Sequence, residues 1–257
     1  MKKIRLTFLG LILLALPLPA QTGSAPLPPL EVVMQRALER ATREDDNDRE
    51  FNRHYHYVRV RVTDFRNASG ELKSHEEKNT EEGVRTNSSP KIAPLAAPAP
   101  VEKDAPVSET HSNIHGKALR VKDYSLTNLV SRFQFTLVGR ETVNGRPTLV
   151  LDFKPAAKDL PVNSYKDHFI NKAAGRLWVD EADYAIARGD MHLTQQVDVL
   201  GGVVGAIWKF TYSFDRERTP EGLWFSRHVD WHLEGREVVF HRIVDYHEQK
   251  LDAQKVR

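Results

Sequence analysis

From Phe135 to His247 the chain repeats one pattern, short runs of alternating apolar and polar residues separated by turns too brief for a parallel crossover. Phe135 to Thr142 and Arg146 to Lys154 flank Asn144-Gly145, a pair suited to a two-residue hairpin turn. Gly175 to Asp180 and Tyr184 to Leu193 follow, separated by the acidic turn Glu181 to Asp183. Ile207 to Phe214 places Trp208, Phe210, Tyr212 and Phe214 on one parity and Lys209, Thr211 and Ser213 on the other. Trp224 to Leu233 and Glu237 to His247 close the run, joined across Glu234-Gly235. Strands at this spacing give a mainly β, antiparallel meander.

Upstream, Val58, Val60 and Val62 alternate with Arg59, Arg61 and Thr63, a further strand with one apolar face, and Asn67 to Gly70 turns it into a polar return strand, Glu71 to Thr80. A flat sheet of eight or more strands leaves two long edges and one broad apolar face, so it must curl, close, or be covered by helices. Helical spacing is scarce. Leu30, Val33, Ala37 and Ala41 mark one amphipathic helix ending in the acidic run Glu44 to Asp48, and Leu126, Leu129, Val130 and Phe133 behind Ser125 mark a second. Two such stripes are too narrow to cover the face assigned to Val58, Val60, Val62, Leu149, Leu151, Phe153, Trp208, Phe210, Tyr212 and Phe214. A curled, partly lidded sheet leaves an apolar concavity fit for a greasy ligand. Alternation alone leaves open whether these side chains line a hollow or fill a closed core.

Residues 1–20 read as an export signal: Lys2, Lys3 and Arg5 precede the apolar stretch Leu6 to Leu18, and Leu-Pro-Ala before Gln21 resembles a cleavage site. The stretch is shorter than the roughly 20 residues a bilayer requires. Without those three cations the balance becomes 34 basic against 35 acidic residues, which removes the charge expected of a nucleic-acid binder. The absence of cysteine excludes disulfides, thiolate chemistry and an N-terminal lipidated cysteine. A soluble periplasmic protein is expected. Residues 88–107, with five Pro and five Ala, read as a mobile insertion within a single domain spanning 21–257.

The order of signal, helix, valine-rich strand with polar return, helix and antiparallel run, together with the phrase GRLWVDEADYAIARGDMHL, resembles the outer-membrane lipoprotein-sorting (LolA/LolB-like) carriers. The resemblance implies a half-barrel partly closed by a few helices, with acyl chains in its hollow, no cofactor, and lipid, acylated protein or the sorting components of the two membranes as partners. Two departures stand out. The Ala/Pro insertion is foreign to the usual carrier, and the absence of Cys excludes the membrane-anchored acceptor form. Arg59 and Arg61 lie on the strand where a lid latch is expected, but alternation turns them away from Val58, Val60 and Val62, so that role is not assigned.

Enzyme readings are weaker. His228, His232, Asp230 and His241, with His192 and His247 near in strand order, suggest a metal-dependent hydrolase, yet positions i and i+4 on a strand stand about 13 Å apart, too far for one ion. No Gly-x-Ser-x-Gly elbow or phosphate loop is present, and Asp180, Glu181 and Asp183 read as turn formers. The remaining alternative is a structural periplasmic domain with a filled core. The apolar, glycine-rich stretch from Val199 to Ile207 reads as a buried turn or a lip.

Overall fold

The computed structural model describes residues 26–83, 130–163, 165–199, 202 and 205–256. The export signal, the insertion at 88–107, most of the helix behind Ser125 and most of the stretch from Leu200 to Val204 lie outside the described residues. Two helices, α1 (Leu30–Ala41) and α2 (Glu44–His54), lead into β1 (Tyr55–Arg66) and β2 (Leu72–Gly83). Then come β3 (Phe133–Val143), β4 (Arg146–Pro155), the short α3 (Tyr165–Ile170), β5 (Ala173–Asp180), β6 (Ile186–Leu193), β7 (Val197–Val199), β8 (Gly205–Arg218), β9 (Trp224–Glu237) and β10 (Phe240–Lys255).

All the strands form one antiparallel sheet in the order β2-β1-β10-β9-β8-β6-β5-β4-β3, with β7 beside β8. The fold is the mainly β, curved half-barrel expected, open at β2 and β3. The meander runs from β3 to β10, and the N-terminal hairpin joins it through β1 against β10. Asn144 and Gly145 both take positive φ at the β3–β4 turn, as a type I′ hairpin requires.

Several boundaries differ from the sequence reading, each for a local reason. The acidic run does not end α1 but starts α2, where Glu44, Asp45 and Asp46 meet the positive end of the helix dipole and Arg53 and His54 meet the negative end. Phe133 belongs to β3, not to a helix. Strand β9 continues through Glu234-Gly235 to Glu237, and the turn falls at Val238, whose φ is 53°. Gly235 is a strand glycine: a Cβ there would stand 2.5 Å from the Ala206 carbonyl oxygen.

Register assigns every side chain to one of two faces, because directly paired residues point the same way. Both N-terminal helices pack on the same face. Val33 of α1 is fully buried against Leu149, Leu151 and Val179. Phe51 of α2 stacks on Tyr55 at 4.9 Å and on Phe225 at 4.6 Å. Helix α2 is also bolted to β9 by buried Asn47, whose side chain donates to the Trp224 carbonyl at 2.6 Å and accepts from the Trp224 N–H at 2.9 Å. An amide whose two ends are both satisfied by backbone tolerates burial.

Candidate functional site

The helix-bearing, concave face runs across the sheet through Phe133, Phe135, Leu137, Leu149, Leu151, Phe153, Leu177, Met191, Phe210, Tyr212, Phe214, Trp231 and Tyr246. Leu149 and Leu151 are sealed beneath α1, whereas Phe153, Phe210, Tyr212 and Phe214 are only half-buried. Gly189 makes room for the Phe214 ring, which a Cβ there would meet at 2.5 Å. An aromatic row crosses the half-buried region. Tyr246 stacks on Trp231 at 5.2 Å, Trp231 faces Phe210 at 6.4 Å, and Phe169 of α3 meets Phe210 edge-on at 4.9 Å.

Four of the ten residues assigned to this face lie elsewhere. Val58, Val60 and Val62 pair with Leu251, Gln249 and His247 on the opposite, convex face. Parity on β1 is set by Tyr55 and Tyr57, which pack under Phe51 of α2, so the arginines two and four residues beyond Tyr57 point inward and the valines outward. Trp208 is displaced by the β-bulge between Ile207 and Lys209 and meets His241 edge-on at 4.7 Å, apart from Phe210, Tyr212 and Phe214.

Arg59 and Arg61 therefore enter the hollow, and alternation had not brought them there. Arg59 contacts Glu82 at 2.6 Å, and Arg61 Nε donates to Glu248 at 3.1 Å. Tyr57 donates to Glu82 at 3.0 Å and Tyr246 to Glu248 at 2.8 Å. Burial pushes the Glu248 carboxyl up, but the Tyr246 hydrogen bond and the two guanidinium charges outweigh it and hold it below the usual range. The Tyr246 phenol is raised by burial and by that same hydrogen bond, and the Tyr212 phenol by burial and the charge of Glu248. Burial and the charge of Arg59 pull the Lys250 ammonium down; it lies over the rings of Tyr57 at 5.1 Å and Phe51 at 5.6 Å.

The convex face is chemically opposite. Four of its histidines pair with carboxylates: His232 with Asp245 at 2.7 Å, His241 with Glu234 at 3.2 Å, His247 with Asp230 at 2.5 Å and His75 with Asp64 at 2.7 Å. Among the described residues, no three or more of His, Cys, Asp and Glu converge as a metal site. Asp180, Glu181 and Asp183 are turn and anchor residues, as their spacing implies. Asp180 accepts from the Ala182 and Asp183 N–H groups and from Arg146 at 2.6 and 2.9 Å, while Glu181 holds Arg140 and Asp183 holds Arg218 and Trp224. A polar cleft of about 790 Å³ opens outside α1, lined by Arg36, Arg40, Arg43, Asp183, Arg218 and Glu221, away from the aromatic row.

Comparison with solved structures returns proteins of the kind resembled. A LolA superfamily protein from Nitrosomonas europaea matches over 87% of this chain and 93% of its own, at 10% identity and a TM-score of 0.33. An outer-membrane lipoprotein-sorting protein domain from Vibrio parahaemolyticus matches over 86% and 92%, at 10% identity and a TM-score of 0.31. A DUF1329 family protein from Desulfovibrio piger matches over 82% and 90%, at 14% identity and a TM-score of 0.30. No protein-family model and no curated relative matches the chain. At these identities and TM-scores no residue role carries across, and the site rests on this chain's own side chains.

Proposed function

We propose that this protein is a non-enzymatic periplasmic carrier that holds the acyl chain of a lipid or acylated protein in the hollow of its half-barrel. In this reading residues 1–20 export it, residues 21–257 form one domain with an Ala/Pro-rich insertion at 88–107, and its partners are a lipid or acylated protein and the sorting components of the inner and outer membranes. The observation that carries it is the unfinished concave face: beyond α1 and α2, Phe153, Phe210, Tyr212, Phe214, Trp231 and Tyr246 are all half-buried. An apolar face of this extent, left in contact with solvent, marks a binding surface.

Binding of a fluorescent fatty acid, measured beside the urea unfolding midpoint, tests the proposal. Phe210→Ala should weaken binding while costing less than about 1.5 kcal/mol, because the ring is not fully enclosed. A filled core would instead give no binding by the parent protein and a loss of about 3–5 kcal/mol in the variant.

A further inference from the structure

The row of side chains that crosses β2, β1 and β10 at the charged end of the hollow has donors without acceptors. Thr80 pairs with Arg59, and Arg59 pairs with Lys250, so two cations stand directly across from one another on the concave face. Like charges in register repel, and a sheet ordinarily places an opposite charge there. The carboxylates close by are already engaged. Glu82 is shared by Arg59, Arg61 and Tyr57, and Glu248 by Arg61, Arg59 and Tyr246.

Three groups are left over. Lys250 has no carboxylate within ion-pair distance among the described residues and rests only on the Phe51 and Tyr57 rings. Arg59 Nε is buried without a hydrogen bond, its nearest carboxylate oxygen, Glu248 Oε1, being 3.6 Å away. Thr80 Oγ1 is likewise buried without a partner. Desolvated polar groups in that condition are costly unless something else satisfies them. The other charged neighbour is Asp48 on α2, an exposed residue whose charge reaches Lys250 only from beyond ion-pair distance.

We propose that the Thr80–Arg59–Lys250 row is the seat of an anionic end group, and that the ligand is a long-chain amphiphile ending in a carboxylate or phosphate, its chain laid along Tyr246, Trp231 and Phe210. This deepens the carrier reading and rests on it. An anion's oxygens supply the acceptors that Lys250, Arg59 Nε and the Thr80 hydroxyl lack, and its charge relieves the Arg59–Lys250 repulsion. The geometry is continuous, since Glu248 touches both Arg61 and Tyr246, and Tyr246 begins the aromatic row. The paired Arg61 and Glu248 stand between Tyr246 and the seat, so head and tail are separated by one neutralised row.

The test compares palmitate, hexadecyl phosphate and hexadecanol by calorimetry on the whole protein, in the parent, Lys250→Met, Lys250→Gln and Lys250→Arg. The parent should bind at least one of the two anions about tenfold or more tighter than the alcohol, the strength of one charge-assisted hydrogen bond. Whichever of palmitate and hexadecyl phosphate binds tighter identifies the head group. Lys250→Met and Lys250→Gln should erase that preference while leaving hexadecanol binding within about twofold, and Lys250→Arg should keep it. Equal binding of acids and alcohol by the parent, or an undiminished preference in either neutral variant, overturns the anion seat and leaves the carrier reading standing. Failure of all three ligands to bind the parent overturns both.

Discussion

The two halves of the concave face are both built from large apolar side chains, aliphatic under α1 and mostly aromatic beyond it, and end in different states. Under α1, Leu149 and Leu151 are each 1% exposed, whereas Phe210 and Trp231, on the same face three and four strands away, keep part of their surface in water. What differs is the cover. Helix α1 supplies Leu30, Val33, Met34 and Ala37, and α2 supplies Phe51, but among the described residues nothing of comparable apolar width lies over the row from Tyr246 to Phe210 except Phe169. Apolar surface left uncovered costs stability in the empty protein, and the proposed ligand is what would cover it here.

The largest effect expected from this contrast is on stability. Leu151→Ala, beneath α1, should cost about 2–5 kcal/mol in urea unfolding, because the site is enclosed and a cavity remains. Trp231→Ala, although it removes a larger side chain, should cost less than Leu151→Ala, since water already reaches the ring. If the two variants lose similar stability, the far half is as finished as the near half and the distinction between them disappears.

Most of the sheet could be read from the chain, and the part of the face that could not has identifiable causes. Strand period and turn residues located β3 to β6 and β8 to β10, because alternation and Asn-Gly are local signals. Which parity of β1 faces inward is not local. Three valines look like an inner face, yet Tyr55 and Tyr57 carry the opposite parity, and Phe51 of α2 decides between them. Carrying the parity of those tyrosines forward to Arg59 and Arg61 would have found the charged end of the hollow. Helix α2 escaped because its sequence is almost wholly polar, anchored by Phe51 and by the backbone-matching amide of Asn47. Trp208 was misplaced by a bulge, which shifts parity by one without any mark in the alternation.

A second, smaller effect separates the inner face from the outer one. On the convex side Asp245 is shared by His232 and Arg66 at 2.7 and 3.3 Å, with all three side chains partly in water. Burial pushes the Asp245 carboxyl up, but His232 and Arg66 pull it below its ordinary value. Its contribution is therefore present above the unfolded carboxylate range and is lost as pH falls below it. At neutral pH, Asp245→Asn should cost no more than about 1 kcal/mol, since partly exposed pairs are screened. It should also leave fatty-acid binding unchanged. Weakened binding in this variant would show that the convex ladder and the hollow are coupled.

The smallest effect concerns the turn that closes β8 onto β9. Glu221 accepts from Lys255 at 2.8 Å and from the Tyr55 hydroxyl, tying this turn to the end of β10 and the start of β1. The Lys255 hydrogen bond, followed by that of Tyr55, lowers its carboxyl from 4.5 to about 2. A carboxylate with a depressed folded-state pKa binds its proton more readily in the unfolded chain. The stability it adds is fully present above about pH 4.5 and drains away as pH falls toward 2. Glu221→Gln should therefore flatten the decline of the thermal midpoint between pH 4.5 and 2, with only a slight lowering at pH 7. Because the side chain is exposed, salt should shrink the difference between parent and variant. Midpoint curves that run parallel through that window would show that the Lys255–Glu221–Tyr55 tie contributes nothing to holding the turn. The end of the sheet beneath α2 would then owe its order to the cluster of Phe51, Tyr55, Tyr57 and Phe225 and to the Asn47 anchor.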